Sequence, residues 1–376
     1  MTAFRAAWGR ARVVWTPRAT TVRVPALGKN WFGPTLGELA VGRVNNFNLL
    51  RLLAASIVLF FHCFALTGNK ISELPVPTNI GFMDLGLLGV TIFFAISGFL
   101  IAQSVTRSPS IFKFVTARAL RILPALALST SFCVVFIGPL ATSLPQGEYW
   151  TDFRTWRYLF HTVVLDPQIR LPGVFEHNPY PPAVNGSLWT IPIEVWCYAM
   201  LGAAALVGLC RRRWQFNIVA IAALIAFANY ELFFRQHIPS GAAWSTVYLV
   251  GVFFFGAWCF LHREFLPASL LAAGVVVLLT IVLLDTRLST YALFCAVTYL
   301  TLIVAHNARL RVAWFLKLGD YSYGVYVFAF PVQQFLVSRF GINDPITLFV
   351  LAFPATLGLA IFSWHIVERP ALALRR

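Results

Sequence analysis

The chain has 376 residues, of which 59% are hydrophobic and 11% are charged, and its formal net charge is +15. Soluble domains are about half apolar and about a quarter charged, so this composition excludes an ordinary soluble protein. In a soluble protein the positive charge would suggest nucleic-acid binding. In a membrane protein, the distribution of positive charge among the loops first indicates which side of the membrane each loop faces.

Long apolar stretches explain the scarcity of charge. A helix that crosses a bilayer needs roughly 20 mostly apolar residues, because no water is present there to satisfy open backbone groups. The stretches predict an all-α fold, a polytopic membrane helix bundle of about ten transmembrane helices. The predicted spans lie near 47–67, 85–105, 122–142, 188–209, 216–234, 243–261, 266–285, 288–305, 321–338 and 346–364. An apolar piece at 156–166 is too short to span, so we expect it to lie in a loop.

Lys and Arg are distributed unequally between the two sides of this bundle. With the N-terminus inside, the inner segments hold 21 of the 29 Lys and Arg residues and the outer loops hold 7. Because positive residues concentrate on the cytoplasmic side, both termini are predicted to be cytoplasmic and the protein to lie in the cell inner (plasma) membrane. Membrane lipids then surround the chain, and no nucleic-acid partner is needed to explain its charge.

The chain divides into a tail and a membrane domain. Residues 1–45 are Arg-rich and predict a disordered cytoplasmic tail, although a misassigned start codon or a transit peptide would look similar. Residues 46–372 form the predicted membrane domain. Its longest loop, 143–187, is rich in proline and aromatic residues and is assigned to the extracytoplasmic side, either as an ordered lid or as an interfacial aromatic belt.

The six cysteines form no CxxC motif and no cluster with histidine. They fall within or at the ends of apolar spans. We therefore expect small buried hydrophobic residues, with neither a metal site nor a disulfide.

Two ionisable residues, Arg51 and His62, lie within the first predicted span. Charged residues inside a membrane are costly and usually mark a functional interior. Their spacing of 11 residues is nearly three helical turns, so both project from one face, about 16 Å apart along the axis. Arg51 could instead extend to the inner interface, and His62 could be a neutral core imidazole. We favour His62 as a general base or acyl-accepting nucleophile.

Arg118 and Arg121 lie at the cytoplasmic side of the third predicted span. Arginines three residues apart share a helix face, and their planar guanidinium groups suit phosphates. Together with Arg51 they predict a cytoplasmic anion site, although basic residues at the inner end of a span are also a normal topological signal.

Glu194 and Ser97 are the remaining polar candidates. Glu194 lies roughly two turns into the fourth predicted span, where a carboxylate needs a partner, and His62 or an arginine is expected to supply it. Ser97 and Gly98 are small residues suited to close helix packing.

Six sequence runs in this order resemble the acyltransferase 3 family of membrane acyltransferases, over about residues 45–372. These runs are Arg51-x10-His62, Gly89-Val90-x3-Phe94-x2-Ser97-Gly98-Phe99-Leu100, Arg118-x2-Arg121-Ile122-x-Pro124, Leu188-Trp189-Thr190-x3-Glu194-x3-Tyr198, Leu318-Gly319-x2-Ser322-Tyr323-x2-Tyr326 and Val367-Glu368-Arg369-Pro370.

The resemblance implies a ten-helix enzyme that moves an acyl group, usually acetyl from acetyl-CoA, to a hydroxyl of an extracytoplasmic glycan. It places the catalytic histidine at His62 with Arg51 as its partner, and the CoA phosphates at Arg118 and Arg121. Ser97, a further candidate for the donor site, and Glu194, a candidate to orient His62, fall in family motifs. The acceptor would be a surface glycan, such as an exopolysaccharide or lipopolysaccharide, or a lipid-linked saccharide.

Two positions depart from the family pattern. Asn48 stands where members often have an aspartate before the motif arginine, and Ala329 stands where many have a histidine. An Asp-Arg pair and a second histidine are therefore not expected at these positions. We expect no fused extracellular domain after the last span, so transfer would be completed either by the bundle or by a separate periplasmic acyltransferase. A transporter or flippase, or a polysaccharide assembly partner, would also suit a charged helix bundle.

Overall fold

The computed structural model describes residues 33–40, 45–73, 79–107, 110–180, 182–229, 241–312, 315 and 318–375. Regular strand structure in these ranges is limited to one antiparallel pair, β1 (Asn79–Ile80) and β2 (Met83–Asp84). The predicted all-α class is confirmed.

The described helices are labelled in chain order. They are α1 (Leu36–Leu39), α2 (Phe47–Thr67), α3 (Leu85–Arg107), α4 (Ile111–Ala141), α5 (Gln146–Thr151), α6 (Phe153–Val163), α7 (Gly186–Leu206), α8 (Arg213–Asn229), α9 (Gly241–Leu261), α10 (Leu270–Leu283), α11 (Ser289–His306), α12 (Ser322–Phe340) and α13 (Pro345–Ala373). α4 and α13 contain π-helical turns at Cys133–Ile137 and Trp364–Glu368, and α7 begins with a 3-10 turn at Gly186–Trp189. Short 3-10 turns also occur at Ile71–Glu73 and Ala308–Leu310.

Among the described helices, seven are long and apolar enough to cross a membrane, namely α2, α3, α4, α7, α9, α11 and α13. α8 and α10 are apolar, but their apolar stretches are shorter than those of these seven helices. α12 is less hydropathic because it contains tyrosine, serine and glutamine. The chain is therefore a multi-pass membrane protein. Length and composition support seven spans, against the ten predicted.

Large aliphatic side chains are exposed along α10. Leu270 is 78% exposed and Val282 is 66% exposed, on a helix without a charged residue. Such a surface is unfavourable in water and favourable against lipid chains.

Two sequence expectations need correction. Residues 33–40 fall in the predicted disordered tail, yet they contain α1, whose capping box is formed by Thr35 and Glu38. Backbone hydrogen bonds to Arg263 and Leu266 fix this short helix to the chain after α9. The rest of the tail, apart from residue 45, lies outside the described residues. The apolar piece at 156–166 is mostly helical rather than loop, because α6 is amphipathic and packs against α4.

α3 and α9 pack closely through two glycines. A Cβ atom on Gly98 would collide with the carbonyl of Phe253, and one on Gly256 would collide with the carbonyl of Ala95. Small residues allow helix backbones to approach in this way. The predicted close-packing role of Gly98 is confirmed, and the same contact fixes Ser97, the preceding residue on α3.

α12 lies among α2, α4 and α13. Hydrogen bonds join it to its neighbours. Gln333 donates to the carbonyl of Leu59 on α2 at 2.8 Å, and Ser129 on α4 donates to the carbonyl of Val327 at 2.8 Å. The residues just before α12 are thereby brought to the end of the bundle where α2 begins.

Candidate functional site

The Arg51 guanidinium on α2 forms an ion pair with Asp320, the second residue before α12. Arg51 Nη1 lies 3.3 Å from Asp320 Oδ2, and the two side chains are 18% and 10% exposed. Asp320 Oδ1 accepts a hydrogen bond from the Ser322 hydroxyl at 2.5 Å. Both carboxylate oxygens are therefore engaged, and Arg51 is held by a group 269 residues away in the sequence.

Arg121 binds the same carboxylate from the other side. Its Nη2 lies 2.5 Å from Asp320 Oδ2, and its Nη1 lies 3.4 Å from Glu368 Oε2. The rings of Tyr323 and Trp364 are 5.8 and 5.9 Å from its guanidinium carbon. The structure thus brings Arg51 and Arg121 together, as expected, and does so through a carboxylate that sequence reasoning did not select.

This arrangement favours the ionised form of Asp320. Burial raises the pKa of its carboxyl, but Arg121, Arg51 and the hydrogen bonds from Ser322 together lower it by more, so the net pKa lies below the usual value of 3.8. Cations within ion-pair distance favour the charged form of a carboxyl in this way.

Arg118, three residues before Arg121 on α4, has a different environment. Its Nε is buried, and no hydrogen-bond partner for it occurs in the described part of the chain. The side chain lines an apolar groove of about 390 Å³ between α4 and α7, together with Ile122, Tyr198 and Gly202. Arg118 therefore retains unused hydrogen-bonding capacity.

A fourth arginine adds positive charge beside Arg118. Arg375 donates to the carbonyl of Ala117 at 2.9 Å. Burial, with the neighbouring charges of Arg118 and Arg121, lowers its pKa to about 10. Arg51, Arg118, Arg121 and Arg375 together form an arginine cluster. Its positive charge favours an anion as its ligand.

Ser97 and Glu194 also meet, at the contact between α3 and α7. The Ser97 hydroxyl donates to Glu194 Oε1 at 2.7 Å, and the Tyr198 hydroxyl donates to the same oxygen. His62 and the arginines were the candidate partners of Glu194, and the hydrogen bonds to its carboxylate come instead from these two hydroxyl groups. Arg118 remains close enough to interact with it electrostatically.

His62 lies in an aromatic environment on α2. Its ring is 5.2 Å from the ring of Phe330 in an edge-on arrangement and 6.0 Å from that of Phe61. Its Nδ1 is buried, and the described residues provide it with no hydrogen-bond partner. Buried polar atoms are normally paired, so an unpaired imidazole nitrogen is a candidate contact for a ligand.

The long segment between α4 and α7 reaches α12 near this histidine. The ring of Tyr180 lies 5.9 Å from that of Phe330. Asn178 donates to Gln334 Oε1 at 2.7 Å, and Gln334 donates to the carbonyl of Ala183 at 2.9 Å. Phe330 is therefore fixed between the His62 ring and this segment, and part of the predicted loop 143–187 is ordered against α12.

Metal chemistry was not expected from the sequence. All six cysteines are free. Over the described ranges, no group of three or more His, Cys, Asp and Glu residues is gathered in a way that could hold a metal ion.

Sequence reasoning missed two acidic members of the arginine cluster, Asp320 and Glu368. Glu368 lies inside the final family-like run, where it was noted without a role. Asp320 lies between Gly319 and Ser322, at an unspecified position of another run. A signal was present in the sequence, since a carboxylate at the end of an apolar helix needs a cationic partner.

These observations define the class of the protein as a multi-pass membrane protein with an arginine cluster at one end of its bundle and an unpaired histidine inside. Comparison with known sequences gives the family. The acyltransferase 3 family model, described as an acyltransferase domain, matches residues 44–365. The chain belongs to this family and is a membrane acyltransferase, which confirms the resemblance found in its motifs.

Several characterised proteins are similar to the chain. An O-acetyl transferase of Shigella phage Sf6 is 30% identical over 341 residues, covering 86% of this chain and 95% of the phage protein. Nodulation protein 10 of Rhizobium leguminosarum bv. viciae is 28% identical over 375 residues, covering 91% and 97%. The peptidoglycan O-acetyltransferase OatA of Listeria monocytogenes is 25% identical over 337 residues, covering 78% of this chain and 52% of OatA. No solved structure matches the chain.

Proposed function

We propose that the protein is an integral membrane O-acetyltransferase that moves an acetyl group from acetyl-CoA to a hydroxyl of an extracytoplasmic carbohydrate. The observation that carries this proposal is the unpaired, buried Nδ1 of His62, on the same helix as an arginine of the cationic cluster. Two relatives bear names that specify O-acetyl transfer, one of them to peptidoglycan.

The donor is bound at the arginine cluster in this proposal. CoA carries phosphate groups, and guanidinium groups bind phosphate through paired hydrogen bonds. Arg51 and Arg121 are partly engaged by Asp320, so Arg118, with an unpaired Nε, provides the most direct contact, and the paired arginines add positive charge. Ser97 and Glu194 complete the wall of this donor site beside Arg118.

The acetyl group reaches His62 along α2. Eleven residues separate Arg51 from His62, which corresponds to about 16 Å of helical rise. An extended CoA molecule can cover this distance, so its phosphates and its thioester can occupy the two places together.

His62 then handles the proton that transfer requires. As a general base, a neutral imidazole nitrogen accepts the proton of the sugar hydroxyl while that oxygen attacks the thioester carbonyl. The carbon–sulfur bond breaks, and the CoA thiolate leaves with a proton from the imidazolium. As a covalent carrier, the imidazole nitrogen attacks the thioester carbonyl, the carbon–sulfur bond breaks, and CoA leaves as its thiolate. The sugar oxygen then attacks the acetyl carbon, the nitrogen–carbon bond breaks, and the hydroxyl proton passes to the released imidazole nitrogen.

The proposed membrane topology rests on the unequal distribution of Lys and Arg between the two sides of the bundle. We propose ten spans, with α8, α10 and α12 added to the seven helices already identified, and both termini in the cytoplasm of a cell with an inner (plasma) membrane. The membrane domain then covers 46–372, after a basic tail at 1–45, and the segment 143–187 faces the extracytoplasmic acceptor. The acceptor is a surface glycan or a lipid-linked saccharide, reached directly or through a separate periplasmic partner.

The test is acetyl transfer by membranes that contain the protein. Radiolabelled acetyl-CoA is added to such membranes, and label in the purified surface glycan is counted for wild type and for His62→Ala. We expect the variant to insert normally and to transfer no acetyl group. His262→Ala is the matched control, because His262 stacks on Trp258 at the end of α9. Transfer retained in His62→Ala would contradict the proposal.

A further inference from the structure

One oxygen of Asp320 joins two arginines that belong to different helices. Oδ2 lies 3.3 Å from Arg51 on α2 and 2.5 Å from Arg121 on α4. Asp320 is 8% exposed when its backbone is included, so little water screens these contacts. Three parts of the bundle therefore meet at a single carboxylate oxygen.

Without that carboxylate the two guanidinium groups would repel each other. Both groups lie within ion-pair distance of the same oxygen, and like charges this close together destabilise each other where solvent is excluded. Arg121 would keep a second acidic partner in Glu368, at 3.4 Å. Among the residues the structure describes, Asp320 provides the carboxylate that pairs with Arg51.

The neighbouring residue on α2 does not supply that charge. Asn48 precedes Arg51 by three residues, so the two side chains lie on the same helix face. Its amide is neutral and cannot balance a guanidinium. The carboxylate of Asp320, just before α12, supplies the negative charge that an acidic residue at position 48 could supply.

We propose that Asp320 is the positioning residue of the donor site, which holds Arg51 and Arg121 at the separation needed to bind the phosphates of acetyl-CoA. This assignment rests on the proposed function. Asp320 acts through the two arginines and does not touch the donor, because its own oxygens are already occupied by Arg51, Arg121 and Ser322.

The direct test is Asp320→Asn, which keeps the shape of the side chain and an oxygen for the Ser322 hydroxyl but removes the negative charge. We expect the KM for acetyl-CoA to rise by about 10-fold, which corresponds to about 1.4 kcal/mol of binding free energy. The kcat should change less, because His62 is untouched. Equilibrium binding of acetyl-CoA to purified protein should weaken by a similar factor.

A relocated carboxylate separates positioning from a merely structural role. Asn48→Asp, added to Asp320→Asn, returns a negative charge beside Arg51 from its own helix. We expect this double variant to recover part of the lost acetyl-CoA affinity. Asp152→Asn is the matched control, because Asp152 also pairs with an arginine, Arg154, but in the exposed segment between α5 and α6. It should leave the KM unchanged.

The possible outcomes separate the two proposals. Wild-type protein that binds acetyl-CoA but transfers no acetyl group would contradict the proposed function, while the binding constants would still test Asp320. Asp320→Asn with wild-type affinity, or a double variant with no recovery, would overturn the positioning role alone. Wild-type protein that binds no acetyl-CoA would contradict both.

Discussion

The hydroxyl of Ser97 on α3 donates a hydrogen bond to Oε1 of Glu194 on α7, at 2.7 Å. The same oxygen accepts from Tyr198, one helical turn further along α7. A carboxylate inside a helix bundle is therefore satisfied by hydroxyl groups. His62, one of the partners considered from the sequence alongside an arginine, has a buried nitrogen with no hydrogen-bond partner among the described residues.

Removal of the Ser97 hydroxyl should weaken the contact between α3 and α7. In Ser97→Ala, Glu194 loses a donor, and we expect the free energy of unfolding to fall by about 1 kcal/mol, as for other interhelical hydrogen bonds in membranes. Thermal unfolding in detergent measures the change. Ser56→Ala is the control, because Ser56 donates to Leu52 within its own helix. Equal effects of the two substitutions would argue against a special role for the Ser97 contact.

The close approach of α3 and α9 makes a second stability prediction. Gly98→Ala places a methyl group against the backbone of Phe253 and should destabilise the fold by about 1–3 kcal/mol, the usual cost of overpacking. Gly251→Ala, on the same α9 helix, is the control, because a Cβ there meets no atom within 4 Å. The two melting temperatures are compared in one detergent, and a Gly98→Ala variant as stable as Gly251→Ala would refute the packing analysis.

Arg118 and Arg121 should respond differently to the same substitution. Arg121→Gln leaves Asp320 and Glu368 short of a buried cation, and we expect a loss of about 3–5 kcal/mol of stability. Arg118→Gln removes no observed ion pair, so stability should change by less than about 0.5 kcal/mol. Its KM for acetyl-CoA should instead rise about 10-fold.

Melting temperatures and acetyl-CoA titrations of both variants check this division of roles. An Arg118→Gln variant that unfolds as easily as Arg121→Gln, or that binds acetyl-CoA as wild type does, would contradict it.

The ion pairs of Asp320 predict a dependence of stability on pH. The folded-state pKa of this carboxyl lies below 3.8, so the folded protein binds its proton more weakly than the unfolded chain does. The stability that Asp320 contributes is therefore present above its unfolded pKa and is lost as the pH falls through its folded pKa.

Melting temperatures of wild type and Asp320→Asn, measured from about pH 7 down to about pH 3, test this sign. The gap between the two proteins should be largest at the neutral end and should narrow below about pH 4. A gap that stays constant over the whole range would show that ionisation of Asp320 does not stabilise the fold.

Much of the fold follows from local sequence. The predicted spans 47–67 and 243–261 agree closely with α2 and α9, because uninterrupted apolar runs of this length have few alternatives to a helix in a membrane. α12 is helical as predicted, although Gln333 and Gln334 lower its hydropathy; both are completely buried and hydrogen-bonded to neighbouring segments.

The site was harder to predict because its contacts are not local. Periodicity places Arg51 on a helix face, but it does not reveal that the facing group is Asp320, 269 residues later. Likewise, the sequence shows that Glu194 needs a partner without showing that its helix faces Ser97. Which polar residues meet depends on helix packing, and a single sequence contains little information about that.

Acetyl transfer from acetyl-CoA, compared between wild type and His62→Ala in membranes with equal protein content, is the measurement that tests the proposed mechanism most directly. We expect wild-type membranes to label the surface glycan. The rate of labelling by His62→Ala membranes should be lower by at least about 100-fold, the smaller end of what general-base catalysis contributes. Equal labelling by the two proteins would show that the buried imidazole takes no part in the transfer.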